Sequence, residues 1–206
     1  MNISTSIKCQ NVRSFNLSDQ NNNRIDPKIE ACIYEQDDII LLTNVQIGTN
    51  KKRIVQKFLK KGYEIFINSE SNAAAGVAIC LRIAKDIKVL SIKKDDNDRV
   101  IILKLMVEEE VIAVVSFYDS NSNTNEFMDW IDSALAEENI SQGIILGGDM
   151  NTITDPMLDQ KGFDNRSHAR THASRHLLNW HTSNKLIDIY RKKNPSGRAI
   201  TYGWLQ

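Results

Sequence analysis

Gly143-Ile144-Ile145-Leu146-Gly147-Gly148-Asp149-Met150-Asn151 carries more structural information than any other segment of the chain. A short, largely β-branched apolar run that closes in two glycines reads as a buried strand opening into a sharp turn. That turn sets an acid beside an amide. An Asp and an Asn delivered together suit a phosphate or a metal ion. Gly-Gly-Asp also closes ordinary strands, so a plain structural turn is the alternative.

Working outward, Val100 to Val107 and Val111 to Phe117 are two further β-branched runs that flank Glu108-Glu109-Glu110 and predict a hairpin. Three consecutive acidic side chains cannot converge on one ion, so the triplet reads as a solvated turn rather than a metal site. Tyr63 to Asn68 alternates like a half-buried strand and Gly76 to Leu81 follows as another. Ser69 to Ala75, between them, has the small polar composition of a hairpin loop. Ile7 to Val12 and Asp38 to Leu42 are the remaining expected strands, the second ending near Thr43-Asn44.

The first helix is expected around Pro27, with Asp26 as its cap and Ile29, Cys32 and Ile33 on one face. Arg53 to Lys60 predicts a basic amphipathic helix. Glu126 to Glu138 follows with Phe127, Ile131 and Leu135 on a stripe, and Ala169 to Asn184 with Ala173, Leu177 and Trp180 on one side. Asn16 to Asn23 and the stretch from Asp155 to Asn165 read as loops. Strands alternating with helices in this order, an antiparallel pair included, fit an α/β sandwich better than a doubly wound nucleotide fold. Neither G-x-G-x-x-G nor a Walker motif occurs.

With 206 residues, 41% of them apolar, and no Gly/Ser/Pro-rich linker, the chain is expected to form one domain over 1–206 with a real core. Its 26 basic residues balance 26 acidic ones, so net charge neither announces nor excludes a nucleic-acid partner. A local basic face can hide in a neutral total. Cys9, Cys32 and Cys80 are scattered without metal spacing and read as core thiols in a reducing compartment. No segment has the apolar length of a membrane span, and Met1 to Ser6 lacks the regions of a signal peptide. The expectation is a soluble intracellular protein of the nucleus or cytoplasm. His168, His172 and His176 recur at i, i+4 steps and raise a zinc site. No Cys or acid stands at a matching spacing, while Arg166, Arg170 and Arg175 interleave, which favours a basic face.

Four segments beside the opening one then fall into a recognisable order. They are Gln10-Asn11-Val12-Arg13-Ser14-Phe15-Asn16, Ala75-Gly76-Val77-Ala78-Ile79, Ser116-Phe117-Tyr118-Asp119-Ser120-Asn121 and Leu186-Ile187-Asp188-Ile189-Tyr190-Arg191. The chain resembles the endonuclease/exonuclease/phosphatase superfamily, and within it the endonuclease domain of LINE-type (non-LTR) retrotransposons. In that family these places read approximately N-x-x-G-L-N, A-G-V-A-I, N-x-Y-A-P-N and L-x-D-x-Y-R. A Thr-aromatic pair follows that looks like Thr201-Tyr202. The resemblance implies a four-layer α/β sandwich of the DNase I-like type, Mg²⁺-dependent cleavage of DNA phosphodiester bonds, and DNA as partner. It also implies a reverse transcriptase domain in a parent polyprotein.

By the same resemblance Asp149 positions or deprotonates the attacking water, Asn151 binds the phosphate and Tyr118 hydrogen-bonds a phosphate oxygen. Asn11 and Asn44 flank the metal, and Asn121, Arg13 and Thr201 contact the substrate. Read alone, Tyr118 is a core aromatic with its hydroxyl at the rim.

Two departures bear on activity. The family's second buried strand ends in Q-E-T, whose Glu is the principal metal ligand, whereas the aligned stretch here is Leu42-Thr43-Asn44-Val45-Gln46. An amide in place of that carboxylate weakens a Mg²⁺ site, because a hard cation kept largely by its own waters gains little from neutral ligands. The family also continues past the Thr-aromatic pair to an S-D-H motif, while this sequence stops at Gln206. The expectations are therefore a sandwich lacking its last strands, weak or absent cleavage, and self-association through an open sheet edge. A non-catalytic module on the same scaffold, binding nucleic acid or protein, is the alternative.

Overall fold

The computed structural model describes residues 5–15, 25–69, 76–119, 124–140, 143–151 and 172–194. Eight strands in these segments form two four-stranded sheets. The first contains β1 (Ile7–Asn11), β2 (Ile39–Thr43), β3 (Tyr63–Asn68) and β4 (Val77–Arg82) in the order β1-β2-β4-β3. The second runs in sequence order through β5 (Ile87–Lys94), β6 (Val100–Val107), β7 (Glu110–Tyr118) and β8 (Ile144–Asp149).

Each sheet is mixed, and its single parallel pair is the one with a helical connection. A parallel partner needs a long crossover, which a helix supplies. β1 and β2 are parallel and joined through α1 (Ile25–Ile33), and β7 and β8 are parallel and joined through α3 (Thr124–Glu137). α2 (Lys51–Lys60) connects β2 to β3, preceded by a single 3-10 turn over Gly48–Asn50. α4 (His172–Ser183) and the short α5 (Ile189–Lys193) follow β8.

Three hydrophobic layers hold four layers of structure together. Between the sheets lie Ile39, Leu41, Val77 and Ile79 of one against Ile101, Leu103, Leu105 and Val114 of the other. Ile29, Cys32, Ile54 and Phe58 of α1 and α2 cover the outer face of the first sheet, where Phe15 meets Phe58 edge-to-face at 6.2 Å. Phe127, Met128 and Ile131 of α3, with Leu177 of α4, cover the second, where Phe117 meets Phe127 at 5.9 Å. Residues 39–43 and 77–81 are buried on both faces, which is why those strands read as continuous apolar runs rather than alternations. Full burial of each large side chain is worth about 1.5–3 kcal/mol, so the inter-sheet layer is a main source of stability.

The architecture is the α/β sandwich read from the sequence, with three refinements. The expected turn at Gly147-Gly148 is strand: β8 continues through both glycines to Asp149, and the chain turns at Met150-Asn151. Gly148 is needed for close approach, since a Cβ there would lie 2.2 Å from the Phe117 carbonyl oxygen and 2.5 Å from its ring. β5 has no counterpart among the expected strands. Its outward positions Lys88, Leu90, Ile92 and Lys94 mix charge with apolar groups, and its pairing with β6 shifts register between Val89 and Ser91. Glu108 and Glu109 do form a turn, but Glu110 already belongs to β7. The expected loops at 16–23, 69–75 and 155–165 lie wholly or largely outside the described residues, as does the Asp26 side chain.

Candidate functional site

The two parallel pairs end at the same edge of the sandwich. Asn11 pairs with Thr43 at the ends of β1 and β2, and Tyr118 pairs with Asp149 at the ends of β7 and β8. β1 and β2 lie against β8, and β2 also against β7, so four strand ends converge from two sheets. Parallel strands deliver their carboxyl ends, and the loops that follow them, to one side.

Asn11 and Asp149 use their side chains in the same way. Asn11 Oδ1 accepts the Arg13 N–H at 3.0 Å, and Asp149 Oδ1 accepts the Asn151 N–H at 3.0 Å. Each is an Asx-turn, a side-chain oxygen closing a turn on the backbone two residues ahead. The remaining groups face each other, and Asn11 Nδ2 donates to Asp149 Oδ2 at 3.1 Å. Asp149 is 6% exposed, so its carboxylate is held by donors in a largely dry setting.

Asn151 swings back under the edge, its Nδ2 donating to the Asp119 carbonyl at 2.6 Å while the Asp119 N–H donates to the Asp149 carbonyl at 2.8 Å. Tyr118 is half-buried, with its ring against the inter-sheet core, as its reading as a core aromatic anticipated. Asn44 follows β2 directly. Its backbone carbonyl accepts the Ser14 N–H at 2.7 Å, and its side-chain Oδ1 accepts from Gln46 Nε2 at 2.7 Å.

The backbone here is strained in a consistent way. Arg13, Ser14, Asn44, Gln46 and Asn151 all have positive φ, between 39° and 75°. Non-glycine residues adopt that region sparingly, Asn most readily, and a cluster of them marks loops held by their surroundings. Lys28 of α1 is one such support, since its Nζ donates to the carbonyls of Arg13 at 3.1 Å and Ser14 at 2.5 Å.

Two further groups brace the edge. Asn68, at the end of β3, donates through Nδ2 to the Asp95 carboxylate at 2.9 Å and to the Val100 carbonyl at 2.8 Å, tying the first sheet to the second. Ser116 Oγ donates to the Leu42 carbonyl at 3.1 Å across the buried interior. Cys9 lies close enough to feel Asp149: burial first, and that negative charge second, push its thiol up to about 12. Gln46, Lys28 and Asn68 were not singled out in the sequence, because nothing local distinguishes a bracing amide or ammonium from a solvated one.

Of the residues expected to act, Asn11, Asn44, Tyr118, Asp149 and Asn151 stand on this edge, with the exposed Arg13 on the loop after Asn11. Asn121 and Thr201 lie outside the described residues. Of the histidine series, His168 and the side chain of His172 lie outside them as well. No group of three or more His, Cys, Asp or Glu side chains able to hold a metal occurs among the described residues.

The oxygens that would hold a Mg²⁺ ion are a poor match for it. Asn11 Oδ1 and Asn44 Oδ1 are neutral and each already accepts an N–H, and both Asp149 oxygens accept donors. A hard cation asks for anionic oxygens in its first shell, and this donor set does not fit one. No helix among the described residues is long and apolar enough to cross a membrane.

No family model matches the chain. Solved structures do. An AP endonuclease from Archaeoglobus fulgidus superposes with a TM-score of 0.67 at 19% identity, covering 96% of this chain and 77% of that one. A 3'-5' exonuclease from Neisseria meningitidis gives 0.64 at 20%, covering 94% and 76%. The endonuclease domain of TRAS1, a telomere-specific non-LTR retrotransposon, gives 0.57 at 13%, covering 88% and 71%. At these identities the likeness establishes the fold, and the chain has the DNase I-like fold of the endonuclease/exonuclease/phosphatase superfamily.

Proposed function

We propose that this chain is a phosphodiesterase-type domain of retrotransposon endonuclease kinship, which engages DNA at the strand-end edge and cleaves it weakly or not at all. The observation that carries the reading is the hydrogen bond between Asn11 and Asp149, which gathers an acid and neighbouring amides where the two sheets meet. The shared fold adds to it, since the AP endonuclease and the TRAS1 endonuclease domain are nucleases.

In this reading Asp149 orients the water, Asn151 and Tyr118 hold phosphate oxygens, and Arg13, Asn121 and Thr201 contact the strand. Lys51, Lys52, Arg53, Lys57, Lys60 and Lys61, with no acid between them, lie on α2 and the residue after it, downstream of the Asn44 loop. They supply a local basic face that the neutral total conceals. Mg²⁺ binding is expected to be weak because Asn44 supplies no charge.

The Asn44–Gln46 hydrogen bond specifically favours the second reading, a non-catalytic nucleic-acid-binding module, because it occupies the oxygen that would face a metal. Nicking of supercoiled plasmid in Mg²⁺ tests both. Little or no nicking is expected from the unaltered chain, and Asn44→Glu should raise metal affinity without restoring substantial turnover. Efficient nicking that Asp149→Ala abolishes would establish a competent enzyme and remove the second reading.

A further inference from the structure

Resting on the reading of this edge as a phosphodiester site, we propose that it takes a phosphoryl oxyanion directly on amide N–H groups, with no divalent cation between. The argument starts from which atom of each amide is engaged. A carboxamide offers two N–H donors and one accepting oxygen, so fixing the oxygen decides what it presents to a ligand. Gln46 Nε2 occupies Asn44 Oδ1 at 2.7 Å, and among the described residues no hydrogen bond leaves Asn44 Nδ2. Asn44 therefore presents its amino group to the edge as a donor.

Asn11 is fixed in the same sense, its Oδ1 closing the turn on Arg13 and one N–H of Nδ2 on Asp149, which leaves the second N–H. Asn151 spends one N–H on the Asp119 carbonyl and likewise keeps the other. Three amino groups with N–H donors to spare thus stand at one edge, beside the Arg13 loop. N–H donors complement an anion and repel a cation. A phosphate oxygen accepts several such bonds at once, and bonds to an ionised acceptor are the stronger kind.

The carboxylate that two of these amides hold, Asp149, is occupied on both oxygens by Asn11 and Asn151. Its negative charge is spread into these two donors instead of standing open to repel an incoming phosphate. In a metal-dependent site the cation performs that neutralisation. Here the amides do it, and the carboxylate-to-amide change at position 44 is part of the same design.

The test is equilibrium binding of a fluorescein-labelled duplex DNA to the full chain, followed by anisotropy in EDTA and again in excess Mg²⁺. Affinity should be the same within about twofold in the two buffers. Asn44→Asp, isosteric and tolerant of the positive φ, should weaken binding in EDTA by about tenfold, which corresponds to about 1.4 kcal/mol. Mg²⁺ should recover that loss. Asn11→Ala with Asn151→Ala should weaken binding in both buffers, and an unchanged circular-dichroism spectrum identifies variants that fold.

Binding of the unaltered chain only in Mg²⁺ would overturn this inference and leave the phosphodiester reading standing. Equal binding by Asn44→Asp and the unaltered chain in EDTA also overturns it. Absence of DNA binding in either buffer, or binding indifferent to the double alanine variant, removes the phosphodiester reading as well.

Discussion

Asn11 and Asp149, 138 positions apart in the chain, are joined by a hydrogen bond of 3.1 Å that closes the mouth between the two sheets. Each residue lies at the carboxyl end of an edge strand among the described residues, β1 in one sheet and β8 in the other. The bond is therefore structural as well as site-forming. Asn11→Ala should lower stability by about 1–3 kcal/mol, the cost of taking a donor from a largely buried carboxylate. A urea melt reads this as a lower midpoint at unchanged slope, and an unmoved midpoint would show that the contact contributes nothing.

Gly148→Ala should be among the most damaging single-methyl additions in the chain. The new carbon would meet the Phe117 carbonyl oxygen at 2.2 Å, and backbone cannot step aside without separating β7 from β8. A loss of about 3 kcal/mol or more is expected, at or beyond the upper end of ordinary overpacking. Gly62→Ala is the control, since its φ is +85° but no atom lies within 4 Å of the added carbon. That variant should lose only about 1–2 kcal/mol, the cost of a left-handed alanine. Equal losses for the two in thermal melts would contradict the steric account.

Asn68 bridges the sheets through a buried amide that donates to Asp95 and Val100. Asn68→Leu should cost about 2–4 kcal/mol, because it removes these bonds and leaves the Val100 carbonyl and part of the Asp95 carboxylate without that donor. Asp95 still accepts the backbone N–H groups of Arg99 and Val100, so its turn should persist. Amide exchange checks the division: faster at the ends of β3 and β4, little changed within residues 95–99.

The three thiols predict an alkaline loss of stability. Burial pushes Cys9 up to about 12 and Cys32 to about 11, from an ordinary 9.0, and pushes Cys80 well above it. Above about pH 9 the unfolded chain releases these protons while the native chain keeps them. Stability is therefore full below pH 9 and falls as pH rises towards 11 and 12. The slope is about 1.4 kcal/mol per pH unit for each thiol involved. Urea midpoints against pH should show this decline, and Cys32→Ala should flatten it. A midpoint indifferent to pH through that window would contradict the burial of the thiols.

Composition and local pattern alone determined the α/β class and most of the strands. A period of two or an unbroken apolar run depends only on which faces of a strand are covered, so β2, β3, β4, β6 and β7 were legible within a residue or two. The motif order placed Asn11, Tyr118 and Asp149 at strand ends and Asn151 just beyond one, because a polar residue closing an apolar run is a local signal. β5 escaped, since on a solvent-facing edge the apolar groups Leu90 and Ile92 point outward and no alternation separates the faces.

What only the tertiary structure decided is everything that depends on two distant segments meeting. Gly147-Gly148 looks like a turn in isolation and is strand because it pairs with Ser116 and Phe117 of β7, where Phe117 leaves no room for a side chain at Gly148. Asn44 reads in the sequence as a missing charge. Its Oδ1 is turned to Gln46, and that orientation makes it a donor, a property no spacing encodes. The bond from Asn11 to Asp149 exists because two parallel pairs from different sheets end on one side. A linear pattern fixes the direction of each strand's side chains, whereas the pairing of sheets follows from burying their apolar faces against each other.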